Sequence, residues 1–244
     1  TYSLHVELEK RIAKFMEKEE ALCFSTGMQT NLGVISSLAG RSDVILIDRM
    51  VHASIVDGTR LSFANVVKFR HNDMQDLEEK LQRLPEDKGR LIIVDGVFSM
   101  EGDMANIPEL VRLKKKYNAR LMVDDAHSVG IMGKGGRGTA EHFDLLDEAD
   151  LVMTTFSKAF ASLGGFVVGK SKVIQYIRHH SRALIFSASI TPASLAAAGE
   201  ALDIIETEPW RRERLWQISE PMNRELTAMG YHTGNTETPI IPVF

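Results

Sequence analysis

Residues 91–97 read Leu-Ile-Ile-Val-Asp-Gly-Val, and residues 120–127 read Arg-Leu-Met-Val-Asp-Asp-Ala-His. Each contains an apolar run without polar alternation that ends on aspartate. Such runs suit strands covered on both faces, since neither side then has to meet water. Working outward from these two strand candidates (91–97 and 120–124), β-rich runs fall at 21–25, 44–48, 66–69, 151–155, 166–168 and 184–186. Helical patterns lie between them at 31–39, 54–63, 74–84, 107–117 and 172–180. Strands alternating with helices predict an α/β fold with a mainly parallel sheet flanked by helices. From Pro192 the pattern turns helical, through 194–206 and 210–229, and the chain closes on an expected strand. Residues 1–195 are thus expected to form one large domain, and 196–244 linking helices and the start of a smaller one. Helical spacing begins at once (Leu4, Leu8, Ile12, Phe15), the first residue is Thr1, and the last residues read as strand. Both ends therefore look cut, and a fragment of a longer protein is expected.

With 244 residues, 44% hydrophobic, the chain is long enough to bury a large core. A formal net charge of −4 gives no pull toward nucleic acid or an anionic membrane. The densest basic clusters, Lys114-Lys115-Lys116 and Arg211-Arg212, read as solvated helix faces. The single cysteine, Cys23, has no partner for an internal disulfide and reads as a small buried thiol, which suits a reducing, cytoplasmic setting. No run approaches the roughly 20 apolar residues of a membrane span.

Ligands of open α/β sheets bind where strands end at their carboxyl edge, and that rule selects 25–28, Ser99, 124–127 and 155–158. Asp124 and Asp125 end one strand, three and two residues before His127. Paired carboxylates at a buried strand end are costly unless a cation sits opposite, a protonated pyridine nitrogen or a metal; the plainer reading is a turn-capping carboxylate beside a hydrogen-bonded structural histidine. No further cluster has metal-ligand spacing, so no metal is expected. Ser25-Thr26-Gly27-Met28 follows a strand and opens a helix, which serves equally as a phosphate cradle and as an ordinary N-cap. His52 stands in the same kind of place, to cap and pack or to lie flat against an aromatic cofactor. Lys158 follows another strand, among the small and apolar residues of 153–166. It reads as a desolvated amine of lowered pKa, fit for a Schiff base, or as a lysine whose head reaches water. Gly133-Lys134-Gly135-Gly136-Arg137-Gly138 matches the dinucleotide fingerprint in letters only, because it does not follow its strand directly. It reads as a glycine-rich loop, leaving an NAD-dependent oxidoreductase as a remote alternative. No G-x-S-x-G elbow occurs.

Several stretches, taken together and in order, resemble the α-oxoamine synthases, pyridoxal-phosphate enzymes of the aspartate-aminotransferase fold. They are Leu-His-Val-Glu-Leu-Glu (4–9), Phe-Ser-Thr-Gly-Met-Gln-Thr-Asn-Leu-Gly (24–33), His-Ala-Ser-Ile-Val-Asp-Gly (52–58), Asp-Gly-Val-Phe-Ser-Met-Glu-Gly-Asp (95–103), Val-Asp-Asp-Ala-His-Ser-Val-Gly (123–130), Thr-Phe-Ser-Lys-Ala (155–159) and Ile-Phe-Ser-Ala-Ser (185–189). The resemblance implies that Lys158 holds pyridoxal phosphate as a Schiff base and then removes the substrate Cα proton. It pairs Asp124 with the pyridine nitrogen, His127 with the phenolic oxygen and His52 with the ring face. Gly27, Met28, Thr155 and Ser157 would hold the phosphate, and Ser99 would lie near the ring. Ser187 and Ser189 would reach the phosphate from a neighbouring subunit, making the unit a homodimer with its site at the subunit interface. The implied reaction is a decarboxylating condensation of an amino acid with an acyl-CoA. The stretches at 155–166 and 183–194 are most similar to members that use L-serine and a long-chain acyl-CoA, which also implies peripheral contact with membrane. Members using glycine with acetyl-CoA or alanine with pimeloyl-CoA share most other motifs. A non-catalytic subunit of the same fold would lack the lysine. The family's substrate-carboxylate arginine is expected beyond Phe244.

Overall fold

Seven of the apolar runs form strands of one sheet in the computed structural model, which describes residues 1–244. They are β1 (Glu20–Phe24), β2 (Asp43–Asp48), β3 (Asn65–Phe69), β4 (Gly89–Asp95), β5 (Arg120–Asp124), β6 (Leu151–Thr155) and β7 (Gly165–Gly169), ordered β3-β2-β4-β5-β6-β7-β1. All run one way except β7, which is antiparallel to both β6 and β1. The reason lies in chain length: the 156–164 connection is shorter than the roughly a dozen residues a parallel crossover needs.

The continuous apolar runs bury both of their faces. In β4, Leu91 and Ile93 join one core while Ile92 and Val94 join the other, because successive side chains point to opposite sides. One core is closed by α1 (Ser3–Phe15), α4 (Met74–Gln82), α5 (Ile107–Lys116) and α9 (Pro192–Thr207), through residues such as Ile12, Leu77, Leu110 and Leu202. The other is closed by α2 (Gly27–Leu38), α3 (Ala53–Leu61) and α7 (Ser171–His180), through Val34, Ile55 and Ile174. The helix starts that matter for function are capped by side chains: Thr26 Oγ1 accepts the Gln29 N–H at 3.0 Å, and His52 Nδ1 accepts the Ser54 N–H at 3.2 Å. A short α6 (Thr139–His142), a short α8 (Arg182–Ile185) and the long, mostly exposed α10 (Trp210–Ala228) complete the helices.

Three expectations need correction. The run at 184–186 is not a strand: α8 (Arg182–Ile185) occupies it, because the N–H groups of Ile185 and Phe186 bond back to Ser181 and Arg182 at 3.0 Å. The end of the chain forms no strand either. Pro239 and Pro242 remove ladder donors there, and Thr238 Oγ1 instead donates to Gly102 O at 2.8 Å. Lys114 does not stand on a solvated face; it is 8% exposed and its Nζ meets Asp150 at 2.7 Å, while Lys115 and Lys116 pair at the surface.

Candidate active site

The co-directional strands β1, β2, β4, β5 and β6 end at one edge, where the following turns enclose a cavity of about 310 Å³. The turn after β1 supplies Thr26, Gly27 and Met28, and the turn after β2 supplies His52. β4 and its loop bring Asp95 and Ser99; β5 brings Asp124, Ala126 and His127. Thr155, Ser157 and Lys158 come from the end of β6.

A buried hydrogen-bond chain links two of these groups. Asp124, 5% exposed, accepts the Ala126 N–H at 3.1 Å and Asn31 Nδ2 at 2.7 Å. The same amide donates to Ser54 Oγ at 2.8 Å, and Ser54 Oγ lies 2.7 Å from His52 Nδ1. Because His52 Nδ1 accepts the Ser54 N–H, it carries no proton; the Ser54 hydroxyl donates to it and the ring proton sits on Nε2. One chain therefore fixes both a carboxylate edge and an imidazole face.

Asp95 stands opposite Asp124 in the β4–β5 register and is 7% exposed. Its Oδ2 accepts the His52 N–H at 3.0 Å and its Oδ1 has no partner. Burial, followed by the negative charge of Asp124, pushes Asp95 well above the usual carboxylate range. Burial raises Asp124 as well, but the Asn31 and Ala126 bonds and the Lys158 charge oppose it. Asp125 is raised by burial to about 6 against the bonds from Thr139 and Ser128, and serves the frame rather than the cavity. Burial and then the charge of Lys158 lower His127 to about 4, so it is neutral at neutral pH. Desolvation lowers Lys158, against the pull of Asp124 and Asp95.

Lys158 itself is exposed to the cavity rather than buried. The apolar character of its segment belongs to Phe156 and Phe160, which turn into the core at 0% and 2% exposure. At the other end of the cavity, α2 starts against β6: a Cβ on Gly27 would stand 2.8 Å from Thr155 Cβ. Thr155 Oγ1 lies 2.8 Å from Ser157 Oγ and donates to Gly164 O at 3.0 Å.

Nine of the residues singled out in the sequence line this cavity: Gly27, Met28, His52, Ser99, Asp124, His127, Thr155, Ser157 and Lys158. Ser187 and Ser189 do not; they line a separate cavity beside β1, and Gln29 Nε2 donates to Ser187 Oγ at 2.9 Å. Three polar wall residues escaped the sequence reading. Asn31 lies four residues past Gly27 on α2, a spacing that puts both on one helix face, and Asp95 ends β4 as Asp124 ends β5. Ser54 carried no signal. The glycine run at 133–138 is no phosphate loop, because the N–H groups of Gly135 and Arg137 donate to the Glu141 carboxylate. No group of three or more His, Cys, Asp or Glu is arranged to hold a metal ion.

A mostly parallel seven-stranded sheet with this edge site is the architecture of the pyridoxal-phosphate-dependent transferases. The chain belongs to the aminotransferase class I and II family, whose profile matches residues 1–244. It is 56% identical over 244 residues to serine palmitoyltransferase of Bacteroides thetaiotaomicron, covering 100% of this chain and 62% of that protein. It is 45% identical over 243 residues to 8-amino-7-oxononanoate synthase of Thermosipho melanesiensis, again covering 100% of this chain and 62% of that one. A solved lysine-to-alanine variant of serine palmitoyltransferase from S. paucimobilis, with bound PLP–myriocin aldimine, superposes with a TM-score of 0.95 at 39% identity, over 99% of this chain and 62% of that one. The chain thus spans less than two thirds of these relatives.

Proposed function

We propose that this chain is the pyridoxal-phosphate-binding part of an α-oxoamine synthase that joins L-serine to palmitoyl-CoA, releasing CoA, carbon dioxide and 3-ketodihydrosphingosine. The observation that carries the reading is the convergence of Lys158, Asp124, His127 and His52 with an open helix start in one cavity. The likeness to serine palmitoyltransferases selects the substrates. In this reading residues 1–195 are the large domain and 196–244 lead into a second.

The residues fit the cofactor. Asn31 Oδ1 is a buried wall acceptor without a partner, beside the Asp124 carboxylate, so the wall suits a protonated ring nitrogen. The first N–H groups of α2 have no intrahelical acceptors, and only glycine at position 27 lets that helix start approach Thr155. When bound, pyridoxal phosphate supplies an electrophilic carbon and a ring that withdraws electrons from the bonds around it. The chain does the rest. Lys158 Nζ, its pKa lowered by desolvation, holds the cofactor and then takes the Cα proton of the amino acid. Asp124, fixed by Asn31, keeps the ring nitrogen protonated, and neutral His127 bonds the phenolic oxygen. His52 covers the ring face, while Gly27, Met28, Thr155 and Ser157 bind phosphate. Ser99 borders the substrate.

Ser187 and Ser189 complete the phosphate site of a neighbouring subunit in a homodimer. The 78% exposure of the adjacent Phe186 supports an interface there. No helix is long and apolar enough to cross a membrane, and the lone Cys23 is buried and free, in keeping with a cytoplasmic enzyme. Likeness to 8-amino-7-oxononanoate synthase supports a second reading, with alanine and pimeloyl-CoA as substrates; glycine with acetyl-CoA is a third.

Borohydride reduction of the cofactor-loaded, complete enzyme tests the first claim: a covalent adduct is expected on Lys158 by peptide mass spectrometry, and none in Lys158→Ala. An intact enzyme that yields no adduct refutes the reading. CoA release with each substrate pair then chooses among the members, and preference for alanine with pimeloyl-CoA moves the assignment to the second.

A further inference from the structure

A charged cluster that this chemistry does not use lies behind the cavity wall. His71, in the turn between β3 and α4, has a carboxylate on each ring nitrogen: Nδ1 is 3.1 Å from Asp48 Oδ1 and Nε2 is 3.0 Å from Asp103 Oδ2. Asp48 ends β2 at 1% exposure and also accepts the N–H groups of Met50 at 2.8 Å and Asn72 at 2.7 Å. Asp103 lies in the loop between β4 and α5, where its carbonyl accepts the Phe98 N–H at 3.0 Å. Phe98 meets the imidazole edge-on, with 4.5 Å between centroids.

A neutral imidazole donates from one nitrogen only, and its other lone pair would then face a carboxylate. Carboxylates on both nitrogens therefore select the imidazolium. Burial works against the charge, but the bonds and charges of Asp48 and Asp103 outweigh it and raise His71 above the ordinary histidine value. The nearby acids of the α4 turn are engaged elsewhere, Asp73 by Arg70 and Asp76 by Lys80. The two bridged carboxylates belong to the two loops that bring His52 and Ser99 to the cavity. Asn72 reinforces the join: its Nδ2 donates to Met104 O at 2.8 Å and its Oδ1 accepts the Asn106 N–H at 3.0 Å.

We propose that His71 is a positioning residue for this site: as an imidazolium it clamps the His52 turn to the Ser99 loop and fixes the spacing between those two side chains. The clamp stands on the geometry alone, and its consequence for turnover rests on the function proposed above.

Two measurements test it on the complete protein. NMR of the ring nitrogens against pH is expected to show His71 doubly protonated through neutrality, and Asp103→Asn, whose amide can donate to a neutral ring, is expected to lower its titration. A singly protonated His71 at neutral pH overturns the clamp. In the cofactor-loaded enzyme, His71→Gln is expected to retain pyridoxal phosphate, judged by its absorbance, yet raise KM for the amino acid by roughly tenfold or more, whereas Asp103→Asn, which keeps the bridge through its amide, leaves KM near its original value. Both variants are also expected to lose the alkaline fall in kcat/KM that follows His71 deprotonation. A folded His71→Gln with unchanged KM, or an alkaline limb that Asp103→Asn leaves unmoved, overturns the positioning role. Should the unaltered enzyme bind no pyridoxal phosphate, the proposed function falls, and the NMR titration still decides the clamp.

Discussion

Burial pushes both Asp95 and Asp124 upward, and the two carboxyl groups differ in the donors that oppose it. Asp124 has two donors and Asp95 one, with an oxygen left bare. Because the folded-state pKa of Asp95 is raised, its contribution to stability is best below the unfolded value of about 3.9 and declines as pH rises toward the folded value. Asp95→Asn keeps an acceptor for the His52 N–H and cannot ionise. It is expected to unfold at a temperature no lower than the native chain at about pH 8, with the difference shrinking on acidification to about pH 4. A lower melting temperature at the alkaline end would show that the structure needs the charge. At this scale the sequence was most legible where a residue follows a strand end, as Lys158, Asp124, His127 and His52 do. Ser54 was not legible, because its bond to Asn31 joins helices α2 and α3 and no spacing along the chain announces it.

Among the elements, the start of α2 is the place where a single methyl group has a defined effect. Gly27→Ala sets a Cβ 2.8 Å from Thr155 Cβ, so the helix start or β6 has to shift. The fold should tolerate this, since the conflict lies at a helix terminus beside the cavity. Affinity for pyridoxal phosphate, followed by its absorbance on titration, is expected to fall roughly tenfold or more, while the melting temperature of the unloaded chain moves little. Undiminished affinity would remove this helix start from the phosphate site. The strands were readable from their two-sided apolar runs, but apolar content alone misassigned 184–186, where backbone bonds to the preceding turn make a helix. The prolines at 239 and 242 outweigh the hydrophobicity around them, because each removes a ladder donor from the terminal segment. The reversal of β7 follows from the length of the 156–164 connection, which is read from the sequence only after both strand ends are known.

At the scale of the whole molecule, two cores on the faces of one sheet leave the carboxyl edge open, and the exposed apolar side chains ask for a partner. Ile185 and Phe186 are 50% and 78% exposed on α8 and just after it. If the proposed homodimer forms through this face, Phe186→Glu is expected to yield monomers in light scattering and to weaken cofactor retention with it. A dimer that survives this change would locate the interface elsewhere. The placement of β1 at the far side of β7 has a consequence in time. β1 is synthesised early, yet β7, which it pairs with, follows five other strands of this sheet along the chain. Pairings so distant in sequence form slowly, and an unpaired strand awaiting them is exposed to misassociation. Lys158 sits on the connection between β6 and β7, so the amine reaches its final position in the same closing step. Only a chain that has closed its sheet presents that amine together with the α2 helix start, so this cavity is among the last features of the fold to be complete.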